Sequence, residues 1–334
     1  MRDPFVPRIL SRVAGRIGAR VELEPEFGFA GRILFASGRT HVFRSNNLNI
    51  NRAGAVAVCE DKGYTSFFLR TAGFRVPREL NFFADRLARN LPAGSRRSIE
   101  DACRFAESIG YPVIVKPNRG SLGDLVAAAS NAAELGAVAQ AILAKYSVGL
   151  VQEYVAGNDY RIVVLGGEII SAYQRVHLFV VGDGLSTIDQ LLEQKRAKLP
   201  TVGRPNSEIS PQDFRIDGVL RRAGLTRQSV LPAGTRQRLL DNANLSTGGD
   251  AIDITPDLHP SVANLAIRAS ACIGVHLCGV DVMCADATQP SPDYVIIELN
   301  GAPGLDNYAS LGAAQQERVD QLYEKVLRFL ETHA

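Results

Sequence analysis

Tryptophan is absent from the 334-residue chain, methionine occurs twice and cysteine five times. The cysteines, at 59, 103, 272, 278 and 284, are odd in number, scattered and without a CxxC pair. That spacing indicates neither a structural zinc site nor a disulfide framework, and a reduced cytoplasm is the expected setting. No apolar run reaches the roughly 18 residues of a membrane span. The opening Met1-Arg2-Asp3-Pro4-Phe5 lacks the apolar core of a signal peptide. An excess of one charge is also missing: 37 Lys and Arg stand against 35 Asp and Glu, a net +2. A broad nucleic-acid or membrane-binding face is therefore not expected, which leaves room only for a small basic pocket suited to a phosphate compound.

What is there reads as a folded α/β chain. Hydrophobic residues make up 46% and charged residues 22%, and the length suits two or three subdomains. Arg32–Ala36 and Thr40–Phe43 are short apolar runs around a Ser37-Gly38-Arg39 turn, and Ala55–Cys59 reads as a further short strand. A helix is predicted from Asp61 to Ala72 with Gly73 as its stop. Residues 77–97 read as a connection. Ser98 caps a helix through Ile99, Ala102, Cys103, Ala106 and Ile109, ended by Gly110. Tyr111–Pro117 is a buried strand feeding a glycine loop, Asn131–Lys145 a helix and Gly149–Val155 a strand. Gly166-Gly167 joins Arg161–Leu165 to Glu168–Val176 as a hairpin. Residues 178–243 are less regular, with a helix after Ser186 and a Pro-, Gly- and Arg-rich stretch from Leu199 to Gly234. A helix over Pro260–Ile273, strands Gly279–Cys284 and Tyr294–Leu299, and an amphipathic helix over 313–333 complete the chain.

Four constellations carry chemistry. Lys116 is delivered by a strand into Pro117-Asn118-Arg119-Gly120-Ser121-Leu122-Gly123. Glycines there let backbone N–H groups approach an anion, and the lysine adds a point charge for phosphate. Taken alone this is also an ordinary strand-to-loop turn, and it does not fit the GxxxxGK[ST] pattern. Asp281 lies on one strand, with Glu298 and Asn300 on the next. Residues two apart on a strand share a face, so Glu298 and Asn300 point together. Both strands are otherwise apolar, and carboxylates there are costly to bury unless paired or bound to metal. As hard oxygen donors they suit Mg²⁺ held partly by substrate phosphates, the plainer reading being solvated strand ends. Ala243-Asn244-Leu245-Ser246-Thr247-Gly248-Gly249 reads as a backbone nest for a carboxylate or phosphate, or as a plain loop. Gln152-Glu153-Tyr154-Val155 leaves the core towards Asp159 and Arg161. It offers backbone hydrogen bonds to a base, an acceptor for a ribose hydroxyl and a guanidinium for phosphate.

Their order changes their weight. A lysine, a glycine loop, a hinge, paired arginines and a D…ExN pair follow one another, and the set resembles the ATP-grasp superfamily from about Asp61 to Tyr308. Tyr111–Pro117, Asn244–Gly249, Gly279-Val280-Asp281-Val282 and Glu298-Leu299-Asn300-Gly301-Ala302-Pro303-Gly304-Leu305 resemble signatures of the ATP-grasp module of cyanophycin synthetases. They are also similar to that part of bifunctional glutathione synthetases.

The resemblance implies an α/β (α+β) ATP-grasp fold, two subdomains clasping ATP. It divides the chain into an N-terminal region 1–97, a lid subdomain 98–158 and a catalytic subdomain 159–334 with an insertion at about 178–243. It implies nucleotide contacts from Lys62, Lys116, the loop residues Gly120, Ser121 and Gly123, the hinge Gln152, Glu153, Tyr154 and Val155, and the ribose-binding Asp159. Two Mg²⁺, replaceable by Mn²⁺, are implied at Asp281, Glu298 and Asn300. Arg161, Arg175 and the loop Ser246, Thr247, Gly248 and Gly249 are implied near the transferred phosphate. Leu122 and Leu125 stand where the family often has a basic or aromatic residue and a further glycine. The expected activity is a carboxylate–amine ligase acting on an amino acid or small peptide through an acyl phosphate, in a homodimer or homotetramer. The alternatives are a nucleotide-binding regulatory protein and a phosphotransferase that stops at the phosphorylated acceptor. His177 shares a face with Arg175 and is weighed as a substrate contact. The arginines at 204, 215, 221, 222, 227, 236 and 238 are read as a solvated face or an anionic-substrate mouth, with RNA binding a minor option. The length is expected to leave room for one ATP-grasp unit and a short N-terminal addition, without a further polymerising domain.

Overall fold

The computed structural model describes residues 4–198, 212–290, 293–310 and 312–333. Residues 199–211 of the predicted 199–234 connection, Arg204 included, lie outside them. The chain opens with helix α1 (Phe5–Val13) and an antiparallel sheet of β1 (Arg20–Leu23), β2 (Ala30–Leu34) and β3 (Thr40–Arg44). Helices α2 (Ala53–Cys59) and α3 (Lys62–Thr71) follow. Here Ala55–Cys59 differs from the expected strand. The Ala-Val alternation mimics strand period, but alanine favours helix, and packing against α3 and the second large sheet decides the outcome. Asp61 caps α3 by accepting from the Tyr64 amide at 3.1 Å.

The predicted connection 77–97 holds strand β4 (Glu79–Phe83) and the short helix α4 (Asp85–Ala88). The capping box expected at Ser98 is present: Ser98 and Asp101 satisfy each other's backbone at the start of α5 (Ile99–Ile109). Strands β5 (Val113–Pro117), β6 (Ala127–Ala129) and β7 (Val148–Glu153), with α6 (Ala132–Lys145) between the last two, complete the first layer. Its strand order is β4-β7-β5-β6, so this sheet reaches back to Glu79, ahead of the expected boundary at 97. Gly149 is required there, since a Cβ would lie 2.1 Å from the Phe82 ring.

The second layer starts with the hairpin β8 (Asn158–Leu165) and β9 (Glu168–Val176), turned by Gly166 and Gly167 at φ 58° and 88°. Strand β10 (Phe179–Val181), α7 (Ile188–Lys198), α8 (Phe214–Arg222) and β11 (Arg236–Arg238) form the 178–243 insertion, which has its own core around Leu178, Ile188, Leu192, Ile216 and Leu239. Strand β12 (Asp250–Asp253), α9 (Pro260–Ile273), β13 (Leu277–Cys284) and β14 (Val295–Asn300) give a five-stranded antiparallel sheet ordered β12-β9-β8-β13-β14. The short α10 (Asp306–Ala309) and long α11 (Ala313–His333) end the chain. One face of this sheet packs on α9. The other shares a core with α1, the three-stranded sheet and α11. No helix among the described residues is long and apolar enough to cross a membrane.

Candidate active site

Strand register builds the site. Tyr173, Arg161, Asp281 and Glu298 stand opposite one another across four neighbouring strands, β9, β8, β13 and β14. Two residues along, Arg175 stands opposite Asp159. Since alternate residues share a face, two arginines and three carboxylates fall on one side of the sheet, as the ExN spacing implies for Glu298 and Asn300.

At its centre Asp281 is 1% exposed and clasped by guanidinium groups. Arg161 donates to both its oxygens, with Nη2 to Oδ2 at 2.9 Å, and Arg175 Nη2 donates to Oδ2 at 2.8 Å. Arg175 also reaches Asp159 Oδ1 at 2.6 Å. Burial works against charge on Arg175, but Asp159 and Asp281 keep it more firmly protonated than an ordinary arginine. Gly279 leaves the space that Arg161 occupies, since a Cβ there would lie 3.0 Å from its Cδ. Asp281, for which the resemblance implies a metal-ligand role, thus has both oxygens engaged by arginines here, Oδ1 by one donor and Oδ2 by two. Glu298 is freer. Burial would favour its neutral form, but Lys62 and Lys116, then Arg161 and Arg175, hold its carboxyl far below the usual range. Its partners are Lys62 Nζ at 3.4 Å and the Asn300 amide at 3.3 Å.

The first layer supplies the opposing wall. Lys116, at the end of β5, is 4% exposed and donates to Gln152 Oε1 at 2.8 Å. Burial, together with the nearby Lys62, pushes its ammonium down to about 8. The start of α3 ties the loop: the Lys62 and Gly63 amides donate to Asn118, and Lys62 Nζ donates to Gly120 O at 3.3 Å. Leu122 and Leu125, at the positions noted for departing from the family, both have left-handed backbone, φ 62° and 52°.

Two cavities flank this arrangement. A narrow one of about 190 Å³ runs between the layers and is lined by every expected nucleotide contact: Lys62, Lys116, Gly120, Ser121, Gly123, Gln152 through Val155, and Asp159. A wider one of about 570 Å³ lies beyond it, lined by Arg161, Tyr173, Ser246, Asn300 and Tyr308 among others. Ser121, Leu122, Arg175, Asn244 and Glu298 border both. Of the predicted Ala243–Gly249 nest, Ala243, Asn244, Leu245 and Ser246 line these two cavities, whereas Thr247, Gly248 and Gly249 do not. Thr247 closes its own turn by donating to Asn242 Oδ1 at 2.8 Å, and Gly248 and Gly249 form that turn. A Cβ on Gly249 would collide with three backbone oxygens. His177 lines the narrow cavity, and its Nε2 lies 3.1 Å from Asp241 O.

Several site residues were not foreseen. Glu79 sits in β4, which the sequence reading leaves as a connection. Tyr173 and Tyr308 stack at 4.9 Å and line the wider cavity with the arginines, and only the register could have revealed Tyr173. Among the predicted basic run, Arg215 and Arg222 reach the lid backbone at Gly123 O and Ala128 O, and Arg227 pairs with Asp189 and Asp217. Arg238 pairs with Asp241 and borders the narrow cavity. Two of the run thus hold the insertion against the lid, and Arg227 and Arg238 are paired within the insertion itself.

Among the described residues no group of three or more His, Cys, Asp or Glu is placed to hold a metal alone. Glu298 and Asn300 nevertheless offer two hard oxygen donors, the kind of partial set that suits Mg²⁺ completing its shell with phosphate oxygens and water.

Residues 93–179 match the family model of the RimK-like ATP-grasp domain. The chain is 35% identical over 269 residues to a cyanophycin synthetase of Geminocystis herdmanii, covering 76% of this chain and 29% of that protein. It is 35% identical over 229 residues to the bifunctional glutathione biosynthesis protein of Streptococcus mutans, covering 64% and 30% respectively. The chain spans less than a third of the length of these relatives. A solved bifunctional glutathione synthetase from Pasteurella multocida is similar in fold, with a TM-score of 0.56 at 24% identity over 92% of this chain and 42% of that one.

Proposed function

Taking as premise that this chain belongs to the ATP-grasp superfamily, we propose that it is an ATP-dependent carboxylate–amine ligase, joining an amino acid or short peptide to an amine. The observation that carries this reading is the meeting of the two cavities at Arg175 and Glu298. A nucleotide laid along the narrow cavity presents its terminal phosphate at that border, and the wider cavity brings a second reactant to the same place.

In this reading the hinge Gln152–Val155 takes the base, Asp159 the ribose, and Lys62, Lys116 and the Gly120–Gly123 loop the phosphates. Glu298 and Asn300 would hold Mg²⁺, or Mn²⁺ in its place, one ion or two, which supplies charge neutralisation at the phosphates when bound. Asp281 would join them as a metal ligand, and it also aligns Arg161 and Arg175. A substrate carboxylate oxygen attacks the γ-phosphorus, the bond to the bridging oxygen breaks, and ADP leaves. The amine nitrogen then attacks the acyl carbon, the bond to the phosphate oxygen breaks, and the amide remains, the amine's proton passing to the departing phosphate. Such transfer depends on positioning and charge stabilisation more than on covalent help, which fits the pre-aligned Arg161 and Arg175. The Gly120–Gly123 loop excludes water that would hydrolyse the acyl phosphate. A cytoplasmic homodimer or homotetramer accompanies this reading.

The test is a phosphate-release screen over pairs of amino acids with ATP, followed by mass spectrometry of the product. An amide product with ADP is expected. ATP binding without ADP would favour a binding-only role, and a phosphorylated acceptor without amide would favour a phosphotransferase. Glu298→Gln is expected to lose at least about 100-fold in ADP formation with the fold intact, and unchanged turnover would remove the metal-holding role.

A further inference from the structure

The wider cavity has an unexpected wall. Its inner end is polar, at Arg175 and Glu298, but its outer side comes from the N-terminal unit, through Pro4, Phe5, Val6, Phe29, Ser45 and Asn46. That unit is rich in arginine, with Arg8, Arg12, Arg16, Arg20, Arg32 and Arg39 among its residues. Yet none of the cavity-lining residues between 4 and 46 carries a charge. The wall is also fixed. The Ser45 amide donates to Phe29 O at 2.8 Å, Ser45 holds a left-handed φ of 50°, and Phe5 packs on the core that joins α1 to α11. The same cavity is lined by Leu122, Leu245 and the stacked Tyr173–Tyr308 pair. The cavity, about 570 Å³, falls within the roughly 300–1,000 Å³ common for small-molecule sites.

We propose that residues 4–46 form a specificity wall selecting a reactant with an apolar side chain. Its reacting carboxylate lies at the Arg175–Glu298 border, and its side chain packs against Phe29 and Phe5. The wall itself is independent of the chemistry, whereas the placement of the carboxylate rests on the ligase reading above. The wall itself offers a charged side chain no ion-pair partner, and the carboxylate of Asp306, which also lines the cavity, repels an acidic one; a charge left unpaired against the wall costs more than a missing apolar contact.

The experiment is calorimetric titration of the full chain, with MgADP present, using L-leucine, L-phenylalanine, L-aspartate and L-lysine, alongside the phosphate-release screen. Leucine or phenylalanine is expected to bind at least about tenfold more tightly than aspartate or lysine. Phe29→Ala should lower that affinity about tenfold while ATP affinity stays within about twofold. Phe5→Leu, which keeps an apolar contact with the core, should lower it less. Equal or tighter binding of the charged amino acids, no binding of any of the four, or equal weakening of all four by Phe29→Ala would each overturn the wall. ADP release only with charged substrates overturns the wall and leaves the ligase reading standing. Selective apolar binding without ADP release from any pair does the reverse.

Discussion

Glu79, Gln152 and Lys116 form a chain that decides how the buried ammonium faces the narrow cavity. Glu79 Oε2 accepts from Gln152 Nε2 at 2.9 Å, which fixes the amide so that its oxygen meets Lys116 at 2.8 Å. Without Glu79 the Gln152 amide can turn and present N–H groups to an ammonium. We expect Glu79→Ala to cost about 1 kcal/mol of nucleotide binding, roughly fivefold in Kd. Glu79→Gln separates the two parts of this effect. It keeps the hydrogen bond but removes a charge that supports the Lys116 ammonium. Its Kd at neutral pH should change little, while the alkaline limb of binding moves to lower pH. A profile unmoved by either variant would reduce Glu79 to packing. The wild-type profile follows from the same lysine. Its folded value is lowered to about 8 from an ordinary 10.5, so the free protein loses the cation above pH 8. ATP affinity should therefore fall with a slope near one decade per pH unit from about pH 8, and Lys116→Ala should flatten it. Stability runs the other way. Between about pH 8 and the ordinary lysine range the unfolded chain holds a proton that the folded chain does not, so this residue's penalty on folding relaxes as pH rises.

Among the elements, those with local punctuation were legible and those formed by packing were not. Ser98 with Asp101 satisfies a helix end as the sequence implies, and Asn131 before α6 and Gly274 after α9 do the same through residue types suited to those positions. The β8–β9 hairpin announces itself through paired glycines. Helix α2 does not, because its Ala-Val repeat has strand period and its helical state comes from neighbours. Strand β4 carries Glu79 and Asn81 within a short run and gains its identity only by pairing with β7. Helix α1 buries Val6, Ile9, Leu10 and Val13 at helical spacing, but it is short and Pro7 blurs the signal. The site divides the same way. Same-face spacing shows Glu298 with Asn300, whereas the capture of Asp281 by two arginines depends on which strands neighbour β13. The glycine loop shows what such elements demand. Gly123 has φ 69°, and a Cβ would come within 2.6 Å of the Asn242 and Asn244 amides. Its carbonyl also accepts from Arg215 at 2.5 Å and from Asn242 at 3.3 Å. Gly123→Ala adds the left-handed penalty of roughly 1–2 kcal/mol and pushes the loop off its seat. ATP Kd is expected to rise about tenfold with circular dichroism unchanged, and unaltered affinity would show that the loop's seat does not matter to the nucleotide.

At the scale of the whole molecule, the N-terminal unit is welded to the second layer. Val6, Ile9, Leu10 and Val13 of α1 share one core with Val163 of β8, Tyr173 of β9 and Val326, Leu327 and Leu330 of α11. A polar clip closes the same interface. Asp320, 4% exposed, accepts from Arg12 Nε at 2.9 Å and Gln316 Nε2 at 2.9 Å, with Arg16 Nη2 at 3.6 Å. Removing the carboxylate leaves no buried cation stranded, because the Arg12 side chain is 45% exposed. The loss should therefore resemble that of one charged hydrogen bond, about 1–3 kcal/mol, and stay well short of a broken buried pair. Asp320→Ala is expected to lower Tm by a few degrees. The manner of unfolding says more than the shift. A continuous core predicts that residues 4–50 and the second layer melt together, so calorimetry of the variant should show the weakened interface within the main transition. A separate early transition would mean that the N-terminal unit docks as an independent body, and a wall built from it would then move with that docking instead of standing fixed beside Arg175 and Glu298.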